Sequence, residues 1–162
     1  MFKFVRSLKV AGFLTLMFGL AVLVSSHKAL AATEGVVPVQ VTSSLSFDQT
    51  VDKVGTLVAK NDMMVMGEIN QGKMLSMTGL KLNGISLIVG NPTVGKQIFS
   101  SGPAAGLAIP IRLYIFEDGG HQVFISYYKP SELLSQFHDS EVDMVGAMLD
   151  EKLANLTAMA SQ

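Results

Sequence analysis

The apolar residues of this chain follow two different periods, which predict alternating strands and helices. Apolar residues recur with helical spacing after Ser46 and predict an amphipathic helix over 47–60. Ser46 and Gln49 have the spacing of a capping box at its start. Valine-rich or continuous apolar runs predict three strands, over 36–42, 63–69 and 85–89. Two shorter helices are predicted, over 71–79 and from Asn91-Pro92 to Ser100.

The second half of the chain carries a strong hairpin signal. Two apolar strands, over 109–117 and 121–128, are joined by Asp118-Gly119-Gly120. Glycine supplies the positive φ that a tight turn needs, so we predict such a turn here, at the structural centre of the fold.

The C-terminal region is predicted to be helical. Pro130 begins a short helix, and Ser140 with Asp143 forms a second capping box before a long amphipathic helix. The resulting order, β-α-β-α-β-α-β-β-α-α, predicts an α+β fold: a mostly antiparallel sheet covered by helices on one face.

The N-terminus has the pattern of an export signal. Lys3, Arg6 and Lys9 precede an apolar run over 10–24, and Ala29-Leu30-Ala31 offers the small-x-small cleavage pattern. The run is shorter than the roughly 20 residues that cross a bilayer core. We therefore predict a signal peptide over 1–31 that is cleaved after Ala31, and one domain over 32–162 that is periplasmic or secreted and not membrane-bound.

Charge and composition exclude several classes of function. Cleavage removes four of the 12 basic residues and none of the 13 acidic ones, which leaves 8 − 13, a net charge of −5. A net anionic domain is a poor non-specific ligand for nucleic acid, because such binding depends on Lys and Arg at phosphates. The chain has no cysteine, which excludes disulfides, thiolate metal sites and cysteine nucleophiles.

Several segments, in order, resemble the DUF302 family. They are Asn91-Pro92 after an apolar strand, the run from Gly106 to Pro110, the run from Arg112 to Gly120, and the run from Ser126 to Pro130. The resemblance covers about 39–159 and implies a compact α+β fold comparable to TBP-like folds, a homodimer, and no established biochemical role. It also implies cysteines at two positions that here hold Gly90 and Ile111, so a thiol-based role cannot operate in this chain.

Arg112 is the first candidate ligand-binding residue. Period-two alternation places it on one face of its strand with Tyr114 and Phe116, next to a neighbouring strand that carries Ser126 and Tyr128. An arginine beside aromatic rings can clamp a carboxylate or phosphate. Arg112, Tyr114 and Tyr128 are therefore a candidate anion site, and a solvated sheet face or a structural salt bridge is the alternative.

Methionines give a second candidate. Met74 and Met77 have the spacing of one helical face, and thioethers are soft ligands that suit Cu(I). Alternation puts Met63 opposite Met64 and Met66, so these three cannot share a strand face. Core packing is the alternative interpretation. We predict no cofactor.

The sequence favours an exported, non-enzymatic DUF302-like binding or interaction domain that forms a homodimer. No Ser-His-Asp order, close carboxylate pair or H-E-x-x-H motif indicates catalysis. Two alternatives remain open: a small-anion-binding protein or enzyme that uses Arg112 and Tyr114, and a periplasmic Cu(I)-binding protein that uses Met74 and Met77.

Overall fold

Five antiparallel strands form the framework of the computed structural model, which describes residues 35–162. The strands are β1 (Val39–Ser43), β2 (Met64–Asn70), β3 (Gly84–Gly90), β4 (Ile111–Glu117) and β5 (Val123–Tyr127). They are ordered β1-β5-β4-β3-β2 across the sheet. The predicted hairpin is therefore β4–β5, and β4 is the central strand. The predicted signal peptide and its cleavage site lie outside the described residues.

Five helices connect and cover these strands. They are α1 (Phe47–Lys60), α2 (Gln71–Ser76), α3 (Pro92–Ser101), α4 (Pro130–Leu134) and α5 (Ser140–Ala160). Short 3-10 turns follow α3 and α4, at Pro103–Leu107 and Ser135–Phe137. The predicted α+β class and antiparallel sheet are confirmed. Among the described residues, none of the helices combines the length and the apolar character that crossing a membrane requires.

The helix starts show which side chains cap them. The predicted capping box of α1 is present, since the Ser46 hydroxyl accepts from the Gln49 N–H and the Gln49 side chain accepts from the Ser46 N–H. The predicted cap of α5 is wrong by one residue. Asp139 has extended backbone angles, and its carboxylate accepts from two N–H groups of the first turn, whereas Ser140 is already helical. A carboxylate at this position also complements the helix dipole.

One face of the sheet is buried beneath the helices. Alternate residues of β3, β4 and β5 point into this layer, as the period of two requires. Fully or almost fully buried side chains from the sheet are Leu87, Val89, Leu113, Ile115 and Ile125. They share one core with buried residues of α1, α3 and α5, among them Val54, Ile98 and Leu153. This core fixes which residues of β4 face the other way.

The hairpin turn is not the glycine turn that the sequence suggests. Neither Gly119 nor Gly120 has a positive φ; His121 does, at 64°. The Asp118 carboxylate organises the turn by accepting from the N–H groups of Gly120 and Gln122, at 2.8 and 2.9 Å. An Asp side chain can fold a turn in this way without glycine in the left-handed region. The predicted requirement for a positive φ at Gly119 is therefore wrong.

A small polar cluster holds the base of this hairpin. The Asn83 amide donates to Glu117 at 2.8 Å, and the His121 ring also bonds to the Glu117 carboxylate. These two bonds, that of Asn83 first, lower the pKa of Glu117 below its ordinary value of 4.5. Because the folded-state pKa is lowered, this contribution to stability is present near neutral pH and disappears as the pH falls through that pKa.

Candidate functional site

The sheet face opposite α1, α3 and α5, here called the open face, is partly covered by the start of α2 and holds the predicted anion site. Arg112, Tyr114 and Tyr128 all line one cavity of about 310 Å³, called the open-face cavity below. The remaining lining residues are Pro38, Gln71, Ser86, Ser126 and Tyr127. Three residues chosen from the alternation of two strands are thus brought together.

The register of the central strands explains this convergence. Because Leu113 is buried in the core, Arg112 and Tyr114 on either side of it point to the open face. Tyr114 lies opposite Ser86 on β3 and Ser126 on β5. Both serines therefore stand beside the tyrosine at the cavity. The predicted face-sharing along β4 agrees with this register.

An aromatic row stiffens one side of the cavity. The Tyr114 ring stacks on Phe116 with a centroid distance of 5.1 Å, and Phe116 stacks on Phe124 of the neighbouring strand at 5.3 Å. Offset aromatic pairs of this kind are stabilising beyond the area that they bury. The Tyr114 ring is therefore held in one orientation beside Arg112.

The polar groups of the cavity are unequally satisfied. Among the described residues, no carboxylate lies within ion-pair distance of the exposed Arg112 side chain. The Gln71 amide donates to the buried Ser86 hydroxyl at 2.7 Å, while the other end of that amide, Oε1, is buried without a hydrogen-bond partner. The side chain of Tyr127 packs in the core on the helical side of β5, where burial raises the pKa of its phenol, so this hydroxyl is not one of the groups that face the cavity. The Arg112 guanidinium, which has no ion-pair partner among the described residues, can therefore bind an anion.

Gln71 and Ser86 are the two polar lining residues that sequence reasoning missed. Gln71 is the first residue of α2, and Ser86 lies within a strand that reads as continuously apolar. The sequence does contain a sign of this site, because Ser86 is the one polar side chain between Ile85 and Val89. A hydroxyl in an otherwise apolar strand marks a place where a polar partner must approach.

A second cavity, called the apolar cavity below, has a volume of about 240 Å³. It opens where β3 ends and α3 begins. Its lining comprises Met63, Met66, Val89, Gly90, Asn91, Pro92, Val94, Gly95, Lys96, Ile98, Phe99, Ile109, Pro110, Ile111 and Leu149. Met63 and Met66 thus line the same space, although alternation places them on opposite faces. Met66 stands at an irregularity in the β2–β3 register, and Met63 precedes the strand, so simple alternation fails here.

The proposed thioether ligands lie elsewhere on the surface. Met74 is in α2 and Met77 caps its end, with exposed fractions of 55% and 84%, and neither lines the two cavities. In the described part of the chain, no three His, Asp or Glu side chains are grouped as metal ligands. This exposure does not fit packing of the two residues in the core, and Cu(I) binding at Met74 and Met77 stays an untested alternative.

Residues 39–160 match the family described as "Domain of unknown function DUF302". The structure is also similar to the crystal structure of an uncharacterized conserved DUF302 protein from Bacillus stearothermophilus. The TM-score is 0.71 at 18% sequence identity, and the match covers 77% of this chain and 98% of that chain. At this identity the likeness establishes the fold.

Part of the chain is similar to proteins from Brucella. These are Fluoride-specific ion channel FluC 1 of Brucella suis biovar 1 (strain 1330) and of Brucella abortus biovar 1 (strain 9-941). Each is 30% identical over 96 residues, or 59% of this chain. The chain spans only 38% and 36% of the length of these two relatives.

Proposed function

The chain belongs to the DUF302 family, and we propose that it is an exported binding domain whose open-face cavity holds a small organic anion. The observation that carries this proposal is the Arg112 guanidinium, which stands among tyrosine and serine side chains with no carboxylate beside it in the described residues. A guanidinium in such a place matches a planar carboxylate, which it can bind through two parallel hydrogen bonds.

The other lining residues narrow the class of ligand. Tyr114 and Tyr128 offer ring faces and hydroxyls, and Ser126 adds a further hydroxyl to the lining. The volume of about 310 Å³ is at the small end of the range for ligand pockets. A carboxylate attached to a single ring or a short chain fits both the size and the chemistry.

Binding is better supported than catalysis. The lining set contains one cation, hydroxyls and an amide, and no His, Asp or Glu stands among these residues. Proton transfer near neutral pH usually depends on such groups. The cavity therefore offers recognition of a charge without an evident acid or base to act on the ligand.

Replacing Arg112 with glutamine is expected to weaken the binding of an aromatic carboxylate about 10- to 100-fold, the usual value of a hydrogen bond to a charged group. Isothermal titration with benzoate at low ionic strength measures this effect. Arg112→Lys should recover only part of the affinity, because an ammonium keeps the charge but loses the paired geometry.

The matched control is Lys60→Gln, which removes an exposed cation from α1 on the helical side of the sheet. It should leave benzoate affinity unchanged. Benzamide, which has the same ring and no charge, should bind weakly to every variant. Sodium fluoride belongs in the series because of the name of the Brucella relatives, and we expect no saturable binding of so small an ion. Equal benzoate affinity in wild type and Arg112→Gln would exclude the proposal.

We also propose that the domain forms a homodimer through β2. This strand is at one edge of the sheet, so one side of its backbone has no strand partner among the described residues. Met64, Met66 and Ile69 on it are substantially exposed. An exposed apolar edge is a template for pairing with another chain, and a second copy would cover it.

Native mass spectrometry of protein purified from the periplasm should show a dimer of chains that begin at residue 32. A substitution of Met64 by lysine should shift the population to monomer, because it places a charge on the edge without altering either cavity. Met159→Lys, at an exposed methionine of α5, is the control. A monomer at micromolar concentration would contradict the dimer, and an uncleaved N-terminus would contradict cleavage after residue 31.

A further inference from the structure

The apolar cavity shares no lining residue with the open-face cavity. We propose that it is a second, separate binding site that takes the alkyl chain of a medium-chain carboxylate, of which octanoate is the test case. Both proposed ligands carry a carboxylate, but this site recognises chiefly the alkyl chain, and its proposal does not depend on anion binding at Arg112.

The floor of the apolar cavity is the hydrophobic core itself. Met63, Val89 and Ile98 are buried or nearly so, yet each lines this opening. A dry apolar cavity of about 150 Å³ is large enough to hold benzene. The volume of 240 Å³ therefore accommodates a short alkyl chain. Water gains few hydrogen bonds at such walls, so an apolar group displaces it favourably.

The mouth of the cavity carries one charged side chain, Lys96. Within residues 35–162 its ammonium takes part in no ion pair. The nearby polar side chain, Asn91, is already used: its oxygen caps α3, and its nitrogen bonds to the carbonyl of Asp62. Lys96 is thus the group that remains for an anionic head, which selects a carboxylate over a neutral or cationic amphiphile.

The rim is adaptable. Met66 and Phe99 line the cavity and are 58% and 45% exposed. The thioether of Met66 and the ring of Phe99 are therefore open to solvent at the edge of the cavity. Methionine has three rotatable bonds and fills irregular space, so it can close over a chain of variable length. Covering these two side chains would remove exposed apolar surface from water.

Octanoate binding to methyl-labelled protein, followed by NMR and calorimetry, tests the proposal. We expect saturable shifts of the methyl groups of Val89, Ile111 and Leu149, which line the cavity. Acetate lacks the chain and should cause no shift. Octanol lacks the charge and should bind up to about fivefold more weakly, the value of an exposed ion pair.

Filling the cavity gives the second arm of the test. A β-carbon at Gly90 lies 2.9 Å from Met66 Sδ and 3.6 Å from Pro110 Cβ, so Gly90→Val occupies space at the mouth. It should weaken octanoate binding about tenfold, as expected for losing roughly two buried methylene groups. Gly67→Val, also on a strand but with nothing within 4 Å of the new carbon, is the matched control.

Lys96→Gln should weaken the binding of octanoate but not the binding of octanol. The wild-type methyl shifts locate the ligand even if Gly90→Val fails to fold. Three results would overturn the proposal: no saturable shift at the three methyl positions, octanoate affinity that Arg112→Gln abolishes, or shifts that depend on protein concentration alone. Shifts that depend on protein concentration alone would show that a second copy of this chain, and not octanoate, occupies the cavity.

Discussion

Replacing Leu113 with alanine is expected to lower the free energy of unfolding by about 2–5 kcal/mol, the usual range for a fully buried leucine. Leu113 has no exposed surface and stands in the middle of the central strand. It faces the helical layer, so removing its side chain leaves a cavity between the sheet and the helices. Urea denaturation followed by circular dichroism measures the change.

Leu107→Ala is the matched control for this experiment. Leu107 ends a 3-10 turn and is 92% exposed, so the same truncation removes almost no buried surface. Its effect should remain within about 0.5 kcal/mol. A loss below 1 kcal/mol for Leu113→Ala would show that the side chain is not packed as the structure describes.

Replacing Gly146 with alanine is expected to destabilise the protein by about 1–3 kcal/mol, because it forces two closely packed helices apart. Gly146 lies in α5, and a β-carbon there would be 2.9 Å from Ser131 Cα and 3.3 Å from Ser131 N of α4. Backbone atoms cannot rotate away, so α4 itself must move. Thermal and urea denaturation report the loss.

Gly55→Ala supplies a control with the opposite sign. Gly55 lies in α1, and nothing stands within 4 Å of its added carbon. Alanine is the better helix former, so this substitution should stabilise the protein by about 0.5–1 kcal/mol. If Gly146→Ala also stabilised, the close approach of α4 and α5 would be contradicted.

Local patterns in the sequence predicted the elements whose cause is local. The α1 capping box involves residues three apart, and the sharing of one face by Arg112 and Tyr114 follows from the period of a strand. Such features need no knowledge of the tertiary fold. The position of the long C-terminal helix was equally clear, and only its cap shifted from Ser140 to Asp139.

The failures have causes that a linear pattern does not contain. Gly119 lies in the turn as predicted, but the left-handed backbone position belongs to His121, and the Asp118 carboxylate organises the turn. The register irregularity at Met66 depends on how β2 pairs with β3, and it brings Met66 to the same cavity as Met63. The register irregularity cannot be read from alternation, because it depends on pairing between two strands. The Asp118 turn is local, but it depends on side-chain hydrogen bonds that the spacing of apolar and glycine residues does not show.

The contact between Ser131 and Asp150 has a consequence for how this region opens. The Asp150 carboxylate, from the middle of α5, accepts from the Ser131 N–H at 3.0 Å and also from its hydroxyl. With five residues, α4 is too short to persist alone, and the carboxylate that satisfies its first turn belongs to the longer helix. We therefore expect residues 130–160 to open as one cooperative unit, so that the exchange of α4 amides with deuterium should report the undocking of α5.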